Sequence, residues 1–198
     1  YLPAEAGVLS NDNLTVIYPS GYKKIAEVIT KGLKRSIFDF QTRLGQYPDI
    51  PIEIEILSQD KDYLERVESG QAIIEFSLAC YLPREKKILV RDPKDQKNFK
   101  QLNKILLHEY IHHFVYHYWP DAPLWFHEGM AVYFTGDLDF DREWNFIRNY
   151  ILGNSLQLRE MRFQYPRNVL EWDSFYAKSG LAVRYLYQKQ RSGFLKLW

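Results

Sequence analysis

All five histidines of this 198-residue chain lie between positions 108 and 127, and two of them frame the run His108-Glu109-Tyr110-Ile111-His112. The apolar spacing around them is helical, and positions i and i+4 of a helix stand on one face, so two imidazoles there can converge on a single cation. That requirement constrains the fold more than any other feature. The chain must carry a long helix through residue 112, and a second element must return to complete the ligand set. A random chain of this length and composition shows such a pattern with probability roughly 0.01. Glu109 is rotated by about one residue's turn from the two histidines, too far round for the same chelate but well placed beside a bound water, as a general base requires.

A catalytic zinc takes three protein ligands and keeps a fourth position for water. The metzincin pattern does not supply the third ligand, because Val115 and Tyr118 stand where it needs Gly and His. Downstream, the Trp119-Pro120-Asp121 turn is followed by a new helix with Pro123 in its first turn. A short connection favours an antiparallel helix pair, which returns residues near 128 towards 108 and 112. Glu128 is then the natural third ligand and His127 its rival, facing about one residue's turn away. A second i, i+4 pair, His113 and His117, lies on the adjacent face without a Glu at the second position, and packing is its expected use.

The His-Glu-x-x-His run followed by Trp125-x-x-Glu128-Gly129 resembles the gluzincin metallopeptidases, in particular their small peptidase-MA-like members and the metal-binding helices of the large zinc aminopeptidases. The resemblance covers about residues 104–134 closely and extends loosely to the last helix. It implies a zinc ion held by His108, His112 and Glu128, water activated by Glu109, and a peptide or protein substrate. It further implies an oxyanion donor beyond the third ligand. The stretch Asp173-Ser174-Phe175-Tyr176-Ala177-Lys178-Ser179-Gly180 is similar to the family's and nominates Tyr176, with Tyr185 and Arg184 behind it. Val132 stands where thermolysin-like members have an Asp, so the groups that orient the metal ligands must come from elsewhere. His127 stands where many aminopeptidases have Asn, and no aminopeptidase exopeptidase motif lies upstream. The competing readings are an inactive peptidase-like module that binds a metal or a partner, and hydrolysis of a non-peptide bond by the same zinc chemistry.

Composition narrows the remaining classes. Lys and Arg number 26 against 25 Asp and Glu, so no broad basic field exists for a phosphate backbone, and nucleic acid is not expected as a partner. The single cysteine, Cys80, excludes an internal disulfide framework and a Cys-based zinc site, and a buried apolar thiol is expected. No apolar run approaches the roughly 18 residues of a membrane span. The chain opens on Tyr1 instead of Met, as a processed, extracytoplasmic form would, and it stops inside an apolar run at 194–198, so it reads as a segment of a longer protein.

Along the chain, 13–17 reads as a strand, 22–44 as a helix, 50–57 as a strand alternating apolar and acidic residues, 59–68 as a short helix, and 72–81 and 86–91 as two strands. The 72–81 alternation fits either an ordinary internal strand or a sheet edge to which an extended peptide adds, as the gluzincin resemblance implies. Helices follow at 96–118, 123–134, 141–153 and 174–190. The expected fold is α+β, a mixed βαβαββ sheet lobe over about 1–94 followed by a mainly helical lobe over about 95–198, in one zincin-like domain.

Overall fold

A computed structural model of the protein describes residues 6–67, 77–94, 99–138, 140–152, 157–166 and 171–198. It is α+β: a five-stranded mixed sheet precedes a mostly helical region. The chain divides into two compact units, Tyr1–His113 and Phe114–Trp198, with the division inside one helix.

In the first unit β1 (Gly7–Asn11) and β2 (Leu14–Tyr18) form an antiparallel hairpin, closed by Asp12 at φ 52°. The left-handed conformation of that tight turn suits an Asp, whose short side chain tolerates positive φ. Helix α1 (Lys23–Leu44) then crosses to β3 (Ile52–Ile56), which pairs parallel to β2 with Val16 opposite Ile54. Gly45, at φ 75°, ends the helix and donates its N–H to Gln41 O at 2.7 Å, a left-handed cap that glycine adopts without a side-chain clash. Helix α2 (Asp60–Arg66) leads towards β4 (Ala79–Leu82) and β5 (Lys87–Val90), an antiparallel hairpin whose β5 lies parallel to β3. The spatial order is β1-β2-β3-β5-β4, so β4 is an edge strand among the described residues.

Each face of this sheet is covered. Ile54 opposite Ile88 and Ile56 opposite Val90 are buried together with Val16 and the α1 residues Ala26, Ile29, Leu33 and Phe40. On the other face Leu89 packs with Tyr63 and Val67, and Leu57, Leu64, Cys80 and Leu82 close round them. Cys80 is half-buried, with Sγ 3.6 Å from Tyr81 O. Glu55, opposite Leu89 in register, shares that face and is only 7 % exposed. The alternation in 50–57 therefore does not mark a solvated acidic face. Glu55 is drawn in by Arg66 at 2.8 Å and Lys87 at 2.8 Å, and Lys87 also holds Glu53 at 2.6 Å. Burial alone would push the Glu55 carboxyl up. The two cations outweigh it and hold the group below the ordinary carboxylate range.

The sequence reading differs from the structure at the edges of elements. It misses β1, because Gly7–Asn11 lacks a regular apolar alternation and is held mainly by its pairing with β2. Of the strand expected at 72–81, residues 72–76 lie outside the described residues, and Ala79–Leu82 is its described part. Helix α3 (Phe99–Tyr118) carries the histidines, α4 (Leu124–Thr135) and α5 (Phe140–Ile151) follow, and α6 (Trp172–Lys189) runs into a short α7 (Arg191–Leu195).

In the second unit α4 and α6 pack closely because Gly129 faces the backbone of Ser179: a Cβ at 129 would collide with the Ser179 carbonyl oxygen and lie 2.7 Å from Val183 Cγ2. Phe114, Phe126, Phe194 and Trp198 form an aromatic core, with Phe126 and Trp198 stacked at 6.1 Å. No helix among the described residues is long and apolar enough to cross a membrane.

Candidate metal centre

Helix α3 is buried along one side, with Leu102, Leu106, Tyr110, Ile111, Phe114 and Val115 all at or below 2 % exposure. His108, Glu109 and His112 lie on the half-buried remainder. Three residues bond the helix to the rest of the first unit. The Tyr110 hydroxyl accepts from Gln41 Nε2 at 3.4 Å. His113 Nε2 lies 3.1 Å from Pro51 O, and its Nδ1 lies 2.9 Å from the Tyr81 hydroxyl. A carbonyl oxygen only accepts, so Nε2 carries the proton and Nδ1 accepts from Tyr81. The third is at Glu109, whose Oε2 accepts the Tyr81 backbone N–H at 2.8 Å. Tyr81 sits opposite Ile88 on the edge strand β4, and its N–H is spent on Glu109.

The ligand atoms of His108, His112 and Glu128 all lie within 4.8 Å of one another. The two imidazoles stand edge to face, ring centroids 4.8 Å apart, as i, i+4 spacing on α3 dictates. Glu128 comes from the first half of α4 and is 2 % exposed. A carboxylate so deeply buried is costly unless its charge is matched. A divalent cation shared with two neutral imidazoles matches it, and a His, His, Glu donor set suits a borderline ion with one position left open. These residues therefore fit a metal ion.

His127, the rival ligand, turns elsewhere. It is 4 % exposed with its ring 4.3 Å from that of Tyr116, and burial pushes its imidazole down to about 4 despite the nearby Glu128 carboxylate, so it is neutral near pH 7. His113 is spent on Tyr81 and Pro51, which bears out the packing role expected for it.

No protein-family model matches the chain, and no curated protein matches it.

Tyr176 lies on the first half of α6, half-buried, with its ring against Trp172 at 6.1 Å and Phe175 at 5.7 Å. Arg184 is paired with Glu143 of α5 at 2.6 Å, and Tyr185 is 59 % exposed. A different tyrosine touches a candidate ligand: the Tyr165 hydroxyl donates to Glu128 Oε1. Sequence reasoning missed it. Tyr165 is 37 residues from Glu128, outside any helix, and among 15 tyrosines no spacing rule distinguishes it. The Tyr81 amide on Glu109 was equally hidden, since a backbone N–H leaves no mark in sequence.

Proposed function

We propose that this protein is a zinc-dependent peptidase whose metal is held by His108, His112 and Glu128. The observation that carries the reading is the gathering of two imidazoles and a buried carboxylate, ligand atoms within 4.8 Å, with Glu109 one residue from the first histidine. Zinc in such a site supplies Lewis acidity and brings the pKa of water down to about 7.

The chain's own residues supply the rest. Glu109 takes the proton of the attacking water on its carboxylate and passes it to the leaving amine, with the Tyr81 N–H fixing the carboxylate's position through Oε2. Tyr176 is the donor proposed for the oxyanion, its ring set by Trp172 and Phe175. An extended peptide is the substrate class, since β4 is an edge strand among the described residues, where such a chain can pair through backbone groups other than the Tyr81 N–H held by Glu109.

The test is elemental analysis of chelator-free protein together with hydrolysis of a quenched-fluorescent peptide library. One zinc per chain, lost in His112→Ala, with turnover abolished in Glu109→Gln, is the expected result. Absence of zinc after reconstitution would overturn the reading. One observation favours a second reading, a metal-binding module without turnover: Glu109 is already engaged by the Tyr81 amide and fastens α3 to β4. Zinc bound in full with no peptide cleaved would select it.

A further inference from the structure

The first N–H groups of a helix have no partner inside the helix, and something outside must take them. In α4 that partner is a distant segment of the chain: Leu124 N–H donates to Arg162 O at 2.9 Å and Trp125 N–H to Met161 O at 3.2 Å. Met161 is itself 1 % exposed, so the segment is anchored by its side chain as well as its carbonyls. Three residues beyond Arg162 the chain brings Tyr165 alongside α4, one turn on from the capped end, and its hydroxyl donates to Glu128 Oε1.

The ring of Tyr165 is clamped as well. It stacks on Trp172 with centroids 5.4 Å apart and planes 11° from parallel, and it meets Phe175 at 5.6 Å. Trp172 is fixed in turn, since its Nε1 donates to Pro166 O at 3.1 Å, the carbonyl next to Tyr165. Capping, stacking and that indole bond together determine where one hydroxyl sits.

We propose that Tyr165 is a positioning residue for the metal ligand Glu128. By donating to Oε1 it sets the carboxylate plane and directs Oε2 to the ion, so that Glu128 binds through one oxygen and the fourth coordination position stays open. Carboxylate ligands are commonly held by such a bond. The proposal rests on the metal-site reading above.

Zinc competition against a chromophoric chelator tests it, with the visible spectrum of the cobalt(II) protein as a report on coordination. Tyr165→Phe keeps the ring on Trp172 and removes only the hydroxyl. It is expected to bind zinc about 10–100-fold more weakly, with a weaker, shifted cobalt absorption as Glu128 becomes bidentate, and to melt like wild type without metal. Equal zinc affinity and superimposable cobalt spectra would overturn the proposal and leave the metal site standing. A metal-free variant melting well below wild type would make Tyr165 a packing residue and overturn it too. Wild-type protein that binds no zinc would overturn the metal site and this proposal together.

Discussion

His112 and His113 are neighbours in sequence with different surroundings. One belongs with His108 and Glu128 to the group that could hold a metal ion, while the other is 2 % exposed between the Tyr81 hydroxyl and the Pro51 carbonyl. Truncating His113 leaves the buried Tyr81 hydroxyl without its imidazole, at about 1–3 kcal/mol, and opens a cavity that costs about 1 kcal/mol more. His113→Ala is therefore expected to lose about 2–4 kcal/mol in urea denaturation while retaining its zinc, whereas His112→Ala is expected to lose the metal. A His113→Ala protein with full stability and no zinc would reverse these roles. Glu109→Gln keeps a side-chain oxygen for the Tyr81 amide, so it should fold and hold metal like wild type. Its peptide turnover is expected to fall by at least about 100-fold, the scale of a lost general base, and unchanged kcat would remove Glu109 from the chemistry.

At the scale of elements, β3 shows how far an alternating pattern can be trusted. Apolar and acidic residues alternate through Ile52–Ile56, which identifies the strand, but the pattern does not say that α2 covers the acidic face and brings Arg66 to Glu55. Because the folded state holds the Glu55 carboxyl below its ordinary range, the stability it contributes is present above the ordinary carboxylate pKa. That stability is lost as pH falls through the depressed folded value. Denaturation midpoints of wild type are thus expected to fall more steeply than those of Glu55→Gln as the pH drops below about 4.5, and parallel profiles would contradict this coupling. The α4–α6 crossing makes a separate demand. Gly129→Ala is expected to destabilise by about 1–3 kcal/mol, because the added methyl meets the Ser179 carbonyl, a backbone group that cannot swing aside. Since Glu128 precedes it, the same variant should also bind zinc more weakly, which the chelator titration reads directly.

For the whole molecule, a metal that binds only the folded chain adds stability by mass action, about 2.7 kcal/mol at a concentration 100 times Kd. For a chain of this size that is a rise of about 5–11 °C in Tm, expected on adding zinc to chelated protein and absent in His112→Ala. Much of this molecule was legible from residue order alone. Local periodicity selects strand or helix, so the core strands, the helices through 118 and 134 and the α+β class could be read directly. An i, i+4 pair on a helix is a local geometry, so His108 and His112 could be read as partners, and Glu128 followed from a short helix connection. Tertiary structure decided what depends on contacts through space: the pairing that holds β1, the covering of Glu55, the Tyr81 amide on Glu109, and Tyr165 on Glu128. Those contacts join residues 28 and 37 positions apart in the last two cases. Only the packing of elements that each look ordinary in sequence brings such groups together, because hydrogen bonds and burial act through space and leave no periodicity along the chain.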